Sequence, residues 1–240
     1  MTDSHPDGLS QPTVSVVLMA YNESPSVRQV LRAVQQVLAR METSYELIVI
    51  DDGSTDGTRE LVESEAARGT GIVVVSHDAN QGLGAVYRSG FAAAHGTYVT
   101  FLPADGQFPP ENIQVLFDAV EDHDAVFGFV DNRRDGLFAT ALSAVERGVC
   151  RVVLGPMPRF QGIFMLRREV LAELTLLSRG RGWGIVMELA ARIHQGGYRA
   201  RSVRTSVIRR TTGTSKVRNV RTIVANARQL LRLGATRFVR

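Results

Sequence analysis

The stretch Tyr45-Glu46-Leu47-Ile48-Val49-Ile50, running into Asp51-Asp52-Gly53-Ser54-Thr55-Asp56-Gly57, decides the fold. On spacing alone its second half is a calcium loop. Asp52, Ser54, Asp56 and Glu63 stand at places 1, 3, 5 and 12 of such a loop, with Gly57 at place 6. The flanks point elsewhere. A calcium loop leaves a helix, whereas Tyr45 to Ile50 is a short β-branched apolar run that reads as a buried strand. Arg59 stands at place 8, which is normally apolar. The alternative is an acidic turn at the carboxyl end of a strand, followed by a helix that Asp56 caps at Thr58-Arg59. Such turns are where open α/β sheets bind ligands.

On either side of this stretch, strand-like runs recur at Val14 to Ala20, Gly71 to Ser76, Thr97 to Leu102 and Ala125 to Val130. Helical patterns separate them. Ser24 to Arg40 carries Val27, Val30, Leu31, Val34 and Leu38 at helical spacing; Gly82 to His95 and Pro109 to Glu121 follow, the last opening with prolines suited to a first turn. The alternation predicts an α/β fold with a mostly parallel, Rossmann-like sheet and right-handed crossovers. Beyond Gly136 the pattern changes. Helices are expected over Leu137 to Leu154, from Arg167, and over Gly184 to His194, with a glycine and proline break at Gly155 to Pro158 followed by a further piece at Gly162 to Leu166. Tyr198 to Ile208 reads as a basic edge strand or hairpin arm, and Val217 to Arg237 as an amphipathic helix. The predicted organisation is a polar, flexible start over 1–12, one domain over 13–216, and a basic amphipathic helix over 217–240.

Bulk composition bounds the function. At 240 residues the chain can bury a substantial core, and its single cysteine, Cys150, excludes a disulfide framework or a thiolate zinc cluster. No apolar stretch approaches the roughly 18 residues of a spanning helix, and Met1 to Pro12 lacks the apolar core of a signal peptide. The expectation is a cytoplasmic protein, held at most peripherally at a membrane face. Net charge is +4, but it is unevenly placed. Leu189 to Arg240 holds 13 basic residues and no acidic one, whereas residues 1–188 hold 15 basic and 24 acidic. A basic end of that kind expects an anionic partner: phosphate groups, an acidic lipid surface or nucleic acid.

Familiar cofactor motifs are missing. Gly82-Leu83-Gly84 lacks the third glycine of a dinucleotide fingerprint because Tyr87 occupies that place, and Lys216, the only lysine, has no glycine loop before it. The five histidines show no metal-ligand spacing and read mostly as surface residues. What remains is a polar cluster after each of four successive strands: Tyr21-Asn22-Glu23, Asp51-Asp52-Gly53-Ser54, Asn80-Gln81-Gly82-Leu83-Gly84 and Ala104-Asp105-Gly106-Gln107. In a parallel sheet these four turns emerge at one edge.

These clusters, together with Arg210 and Gly213-Thr214-Ser215-Lys216, resemble the family 2 glycosyltransferases of the GT-A fold, with the closest likeness to the dolichol-phosphate mannose synthase branch. The resemblance spans residues 13 to 217. It implies transfer of a sugar, with inversion, from a nucleotide-diphosphate sugar to a polyprenyl phosphate. It also implies that Tyr21, Glu23, Ile50, Asp52, Ala104 and Arg133 contact the donor. Asp105 and Gln107 would hold a divalent cation, Mg2+ or Mn2+, and Asp105, Arg210 and Lys216 would serve the chemistry. The chain departs from the branch in two places. Pro103-Ala104-Asp105 stands where Asp-x-Asp is usual, and Gln161-Gly162-Ile163-Phe164 stands where a basic residue is usual.

The helix over Val217 to Arg237 is expected first to pack on the body of the domain, the other seats for the basic end being an anionic membrane surface or a membrane-anchored partner subunit. Three other readings stay open: a catalytically silent nucleotide-sugar-binding relative, a calcium site at Asp52, and a transferase with a non-lipid acceptor. Nucleic acid is not expected as a partner, because Tyr198 and Phe238 are the only aromatics in the basic end.

Overall fold

Four parallel strands, β1 (Val14–Ala20), β2 (Tyr45–Asp51), β3 (Ile72–Ser76) and β4 (Tyr98–Pro103), form one half of the sheet. Each lies where β-branched and aromatic runs predict it. The computed structural model describes residues 11–69, 71–130, 148, 155–160, 162–178 and 182–208. Three further strands, β5 (Ala125–Phe129), β6 (Phe164–Arg167) and β7 (Ala200–Arg204), complete a seven-stranded sheet of order β3-β2-β1-β4-β6-β5-β7. β6 runs antiparallel to both its neighbours, and every other pairing is parallel.

Helices cover both faces. α1 (Val27–Arg40), α2 (Thr58–Ala66) and α4 (Glu111–Val120) contribute Leu31, Val62 and Leu116 to one apolar cluster, where they join Val16, Leu18, Leu47 and Val49. On the other face, α3 (Leu83–Ala93) and α6 (Gly184–Gln195) contribute Val86, Tyr87, Ile185 and Leu189 to a cluster with Val17, Ile48, Ile50 and Phe101. The alternation of successive β1 and β2 residues between the clusters is the period-2 pattern of strands buried on both sides. A short α5 (Arg168–Glu173) follows β6 directly.

The starts of two helices help to shape the carboxyl edge of the sheet. Helix α1 begins at Val27, not Ser24, because Glu23 O accepts the N–H groups of Ser26 (3.0 Å) and Val27 (2.8 Å), so residues 23–26 form a turn. Helix α3 sits unusually close to the sheet. A Cβ at Gly90 would lie 2.5 Å from Phe101 Cε1 and 2.9 Å from Val17 Cγ1, so only glycine permits this approach. The close seat fixes the height of the amino end of α3 above the carboxyl ends of β2 and β3.

The basic edge piece is shorter than its pattern predicts. Strand pairing ends at Arg204, and residues 205–208 are held from elsewhere. Thr205 N–H donates to Phe129 O (2.8 Å), Ser206 exchanges two hydrogen bonds of 2.9 Å with the buried Asn112 side chain, and Ile208 N–H donates to Gln107 O (2.8 Å). The segments expected as helices at 137–154 and 217–237 lie outside the described residues, Gly148 excepted. Among the described residues no helix is long and apolar enough to cross a membrane.

Candidate active site

Strand register brings the four polar turns together. Ala20 pairs with Asp51, Met19 with Pro103, and Asp51 with Ser76, so β1, β2, β4 and β3 end level at one edge. Residues 21–26, 52–57, 77–82 and 104–110 follow those ends and gather along the edge where a sheet of this kind has its ligand crevice.

The first two turns are tied to each other. Ser54 Oγ accepts from Asn22 N–H (2.9 Å), Asn22 Oδ1 from Thr55 N–H (2.8 Å), Thr58 Oγ1 from Glu23 N–H (2.9 Å) and Asp56 Oδ2 from Ser24 N–H (3.0 Å). Asp56 Oδ1 also accepts the Thr58 N–H at 3.0 Å at the start of α2, although the N-cap residue itself is Gly57 and not Asp56. Burial alone would raise the Asp56 pKa. The Thr58 hydroxyl and the N–H groups of Ser24 and Thr58 outweigh it and hold the carboxyl down to about 2.

Because that value lies below the unfolded one of about 4, ionised Asp56 favours the folded chain above about pH 4. The contribution is lost as pH falls through about 2. Asp56→Asn is therefore expected to cost about 0.5–1 kcal/mol at pH 7, a small effect because Asp56 is exposed. Urea titrations of both proteins should show the difference shrinking steadily between pH 5 and pH 2.

The acidic turn is not a calcium loop. Asp52 is 3% exposed, and its carboxylate points into the protein. Oδ1 accepts from His77 Nδ1 (2.7 Å) and Gln81 N–H (2.9 Å); Oδ2 accepts from Asn80 Nδ2 (3.0 Å) and Gly82 N–H (2.8 Å). Four donors fill the lone-pair capacity of a carboxylate. The same four contacts place the Asp52 carboxylate between the acidic turn and turn 77–82. The Asp52 charge occupies the amino end of α3, where free N–H groups and the helix dipole favour an anion. The backbones of the two turns touch there. Gly53, at φ +69°, lies so near that a Cβ would stand 2.4 Å from Ala79 C.

Arg59 joins the same wall. Its Nε donates to Asp51 Oδ2 at 3.1 Å, and its Nη2 donates to the carbonyl of His77. His77 is buried, at 8% exposure, against the surface position its sequence suggests. Its Nε2 is 2.8 Å from Ser89 Oγ on α3. Neither Arg59 nor His77 was legible as part of the site, since each acts through partners distant in sequence. Arg59 carried the one signal, as a charge at a place where a calcium loop is apolar.

The other expected residues divide. Tyr21, Glu23, Asp105 and Gln107 are half-buried at the crevice. Ser26 Oγ lies 2.8 Å from Ala104 O and 3.4 Å from Glu23 Oε2, which joins the first and fourth turns. Asp105 Oδ1 accepts from Gln107 N–H at 3.0 Å, a local turn that sets the two side chains beside one another. Ile50 and Ala104 are fully buried, Ile50 in the cluster beneath α3 and Ala104 in the cluster beneath α1. Arg133, Arg210 and Lys216 lie outside the described residues. Among the described residues, no three acidic, histidine or cysteine side chains gather as a metal cluster.

Known proteins share this architecture. The model of the family described as "Glycosyl transferase family 2" matches residues 15–175. The chain is 36% identical over 154 residues to an undecaprenyl-phosphate 4-deoxy-4-formamido-L-arabinose transferase of Pseudomonas paraeruginosa, across 63% of this chain and 43% of that protein. It is 39% identical over 139 residues to the enzyme of the same name from Aeromonas hydrophila subsp. hydrophila, across 57% and 43%. The chain thus spans less than half the length of these curated relatives. Among solved structures it resembles glucosyl-3-phosphoglycerate synthase of Mycobacterium tuberculosis in complex with Mn2+, uridine-diphosphate and phosphoglyceric acid. The TM-score there is 0.63 at 25% identity, over 94% of this chain and 78% of that one. The expected GT-A architecture is the one observed, a mostly parallel seven-stranded sheet between helices. With two thirds of its length matched and its four turns gathered at the edge where such a sheet binds ligands, the chain belongs to glycosyl transferase family 2.

Proposed function

We propose that the chain moves a sugar, with inversion, from a nucleotide-diphosphate sugar to a polyprenyl phosphate at an anionic membrane face. One observation carries this reading. Ile208 N–H donates to Gln107 O, and the Asn112–Ser206 pair holds the chain just before it, so the basic arm leaves the sheet beside Asp105 and Gln107. Arg210 follows two residues later. Two residues of chain span at most about 7 Å, and the eight to Lys216 about 28 Å, so both cations are within reach of phosphates bound at Asp105. Arginine and lysine bind phosphate by charge-assisted hydrogen bonds. The relatives named above, whose names include undecaprenyl-phosphate, support an acceptor of that class.

The donor set suits a divalent cation. Asp105 and Gln107 offer a carboxylate and an amide oxygen, and Pro103 stands where a second carboxylate is usual. Two oxygens from the chain do not complete a coordination shell. They fit a hard cation such as Mg2+ that keeps several waters and takes further oxygens from a diphosphate. Bound there, it supplies neutralisation of the charge that develops on the leaving nucleoside diphosphate.

The rest of the chemistry needs little from the protein. A phosphate monoester, with its second pKa near 6, is already ionised at neutral pH and attacks without a strong general base. Its oxygen forms a bond to the anomeric carbon on one face as the bond to the diphosphate oxygen breaks on the other. The proposed role of Tyr21 and Glu23 is to hold the donor, and that of Arg133, Arg210 and Lys216 is to hold phosphate charge.

A thermal-shift screen of UDP-, GDP- and dTDP-sugars with and without Mn2+ tests the reading. A bound donor at 100 times its Kd stabilises by about 2.7 kcal/mol, so the true donor should raise the melting temperature by several degrees only when Mn2+ is present. No shift with any donor would contradict it. Binding indifferent to metal, with no product, would favour a silent nucleotide-sugar sensor.

A further inference from the structure

We infer that Trp183 is the aromatic platform on which the donor's sugar stacks, so that its indole ring helps to select the sugar that is transferred. The inference rests on the nucleotide-sugar reading above and deepens it.

Trp183 is the chain's only tryptophan, and the core does not use it. It is half-buried yet belongs to neither apolar cluster. Among the described residues its indole N–H meets no acceptor and its ring meets no other ring. Nearby phenylalanines behave differently. Phe101, Phe127 and Phe160 all make ring contacts with Phe164, in or against the cluster that α6 covers. A tryptophan kept for stability buries its ring in such a cluster and pairs its N–H. An indole that does neither is an apolar face with a polar handle, both open to a ligand.

Topology gives the ring its place. β7 begins at Ala200 beside Ala125, the first residue of β5, so α6 ends at the amino edge of the sheet. Its 12 residues rise about 18 Å, the length of a short strand, which returns Trp183 to the carboxyl edge where the four polar turns gather. Ile185 and Leu189 share a cluster with Phe101 of β4, Phe164 of β6 and Phe127 of β5, so α6 lies over that half of the sheet. Trp183 therefore stands beyond Asp105, on the side away from Tyr21 and turn 77–82. A donor laid along the edge, with its nucleoside towards Tyr21 and its diphosphate at Asp105, carries its sugar to that side.

The backbone around the ring is held on both sides. Trp183 O accepts the N–H groups of Val186 (3.0 Å) and Met187 (3.4 Å), which sets the first turn of α6. Upstream, the buried Glu188 carboxylate accepts from Leu177 N–H (2.8 Å) and Ser178 N–H (2.7 Å), and Arg88 of α3 donates to the carbonyls of Leu176 and Ser178. A ring fixed beforehand loses little freedom on binding. The chemistry suits a sugar: one face of a pyranose carries C–H groups that meet the negative face of an indole, and a hydroxyl at its rim accepts the indole N–H. Sugars that differ in which face is free of hydroxyls stack unequally.

A single tryptophan makes the test direct. Indole emission of the full chain in Mn2+ is followed on titration with UDP-glucose, GDP-mannose and dTDP-glucose, each beside its own nucleoside diphosphate, while calorimetry reports which of them bind. A bound nucleotide-sugar is expected to shift the emission to the blue and to shield it from acrylamide. Its nucleoside diphosphate should do neither. Trp183→Ala should weaken binding of the nucleotide-sugar about tenfold and that of the nucleoside diphosphate less than about twofold; Trp183→Phe, which keeps a ring without the N–H, should lose about threefold on the nucleotide-sugar.

Emission that ignores a nucleotide-sugar shown by calorimetry to be bound would overturn the inference and leave the functional reading intact. Affinities for nucleotide-sugar and nucleoside diphosphate that fall equally in Trp183→Ala, or that both stay at the wild-type level, would do the same. Emission that answers to a polyprenyl phosphate alone, and not to the nucleotide-sugar, would give the ring to the lipid and overturn the sugar assignment. A wild-type chain that binds none of these nucleotides would overturn the functional reading itself, and the inference with it.

Discussion

Replacing Asp105 by alanine is expected to lower sugar transfer by about 10³-fold or more, with a melting temperature within a few degrees of wild type. Asp105 supplies the only carboxylate of the Ala104–Gln107 turn, because Pro103 closes β4 where the related branch carries another. Its side chain is half-buried at the crevice, so little packing is lost with it. What is lost is the anionic ligand proposed for a cation facing the leaving diphosphate. Preorganised groups that meet developing charge are each worth about 10²–10³ in rate, and a cation answers a larger charge than a single hydrogen bond does. Asp105→Asn refines the test. It keeps an oxygen to accept the Gln107 N–H and removes the charge, so it should leave the turn intact and still lose most of the activity. Donor affinity in either variant should no longer respond to Mn2+. Near-normal transfer in Asp105→Ala, measured as kcat/KM, would remove the metal assignment.

Asp52→Ala is expected to act in the opposite way, on the fold first. The substitution leaves His77 Nδ1, Asn80 Nδ2 and the N–H groups of Gln81 and Gly82 without their acceptor inside the protein. A buried donor stripped of its partner costs about 1–3 kcal/mol, and removing one side of a buried charged cluster about 3–5 kcal/mol. Water reaching the exposed side of Gln81 will relieve part of this, so about 3–5 kcal/mol is the expected total. At about 2–4 °C per kcal/mol for a domain of this size, the melting temperature should fall by about 10 °C. In denaturant the midpoint should drop with an unchanged slope. Donor binding weakened beside the loss of stability would keep the nucleobase contact that family resemblance implies for Asp52, and donor affinity unchanged in the folded variant would remove it. The two outcomes are cleanly separable.

Much of this molecule can be read from local pattern. The β-branched run Tyr45 to Ile50 specifies β2, and the apolar spacing of α1 specifies its buried stripe, because each pattern answers a packing requirement that every doubly covered strand or surface helix must meet. The gathering of Glu23, Asp52 and Asp105 at one edge comes from parallel strands alone. Side-chain direction at that edge does not. Asp51 and Asp52 are adjacent and chemically identical, yet Asp51 faces Arg59 and Asp52 faces the α3 amino end, and only the strand's alternation with its distant partners decides which does which.

His77 was illegible for the same reason. The two partners of its side chain lie 25 residues before it and 12 after it, and neither spacing belongs to any local motif. The antiparallel direction of β6 depends on the long connection from β5, whose expected helix falls outside the described residues. The basic end was visible in the charge distribution, but its attachment at Gln107 and Asn112 was not, because backbone hydrogen bonds to irregular segments leave no compositional trace.

The most direct test of sugar transfer is mass spectrometry of the lipid fraction after the chain is incubated with Mn2+, a panel of nucleotide-diphosphate sugars and a polyprenyl phosphate in anionic vesicles. The expected product is a polyprenyl phosphate heavier by one sugar residue, formed with one donor of the panel, absent without metal and absent with Asp105→Ala. A lipid fraction of unchanged mass, with a donor that binds and remains intact, would contradict the proposed transfer.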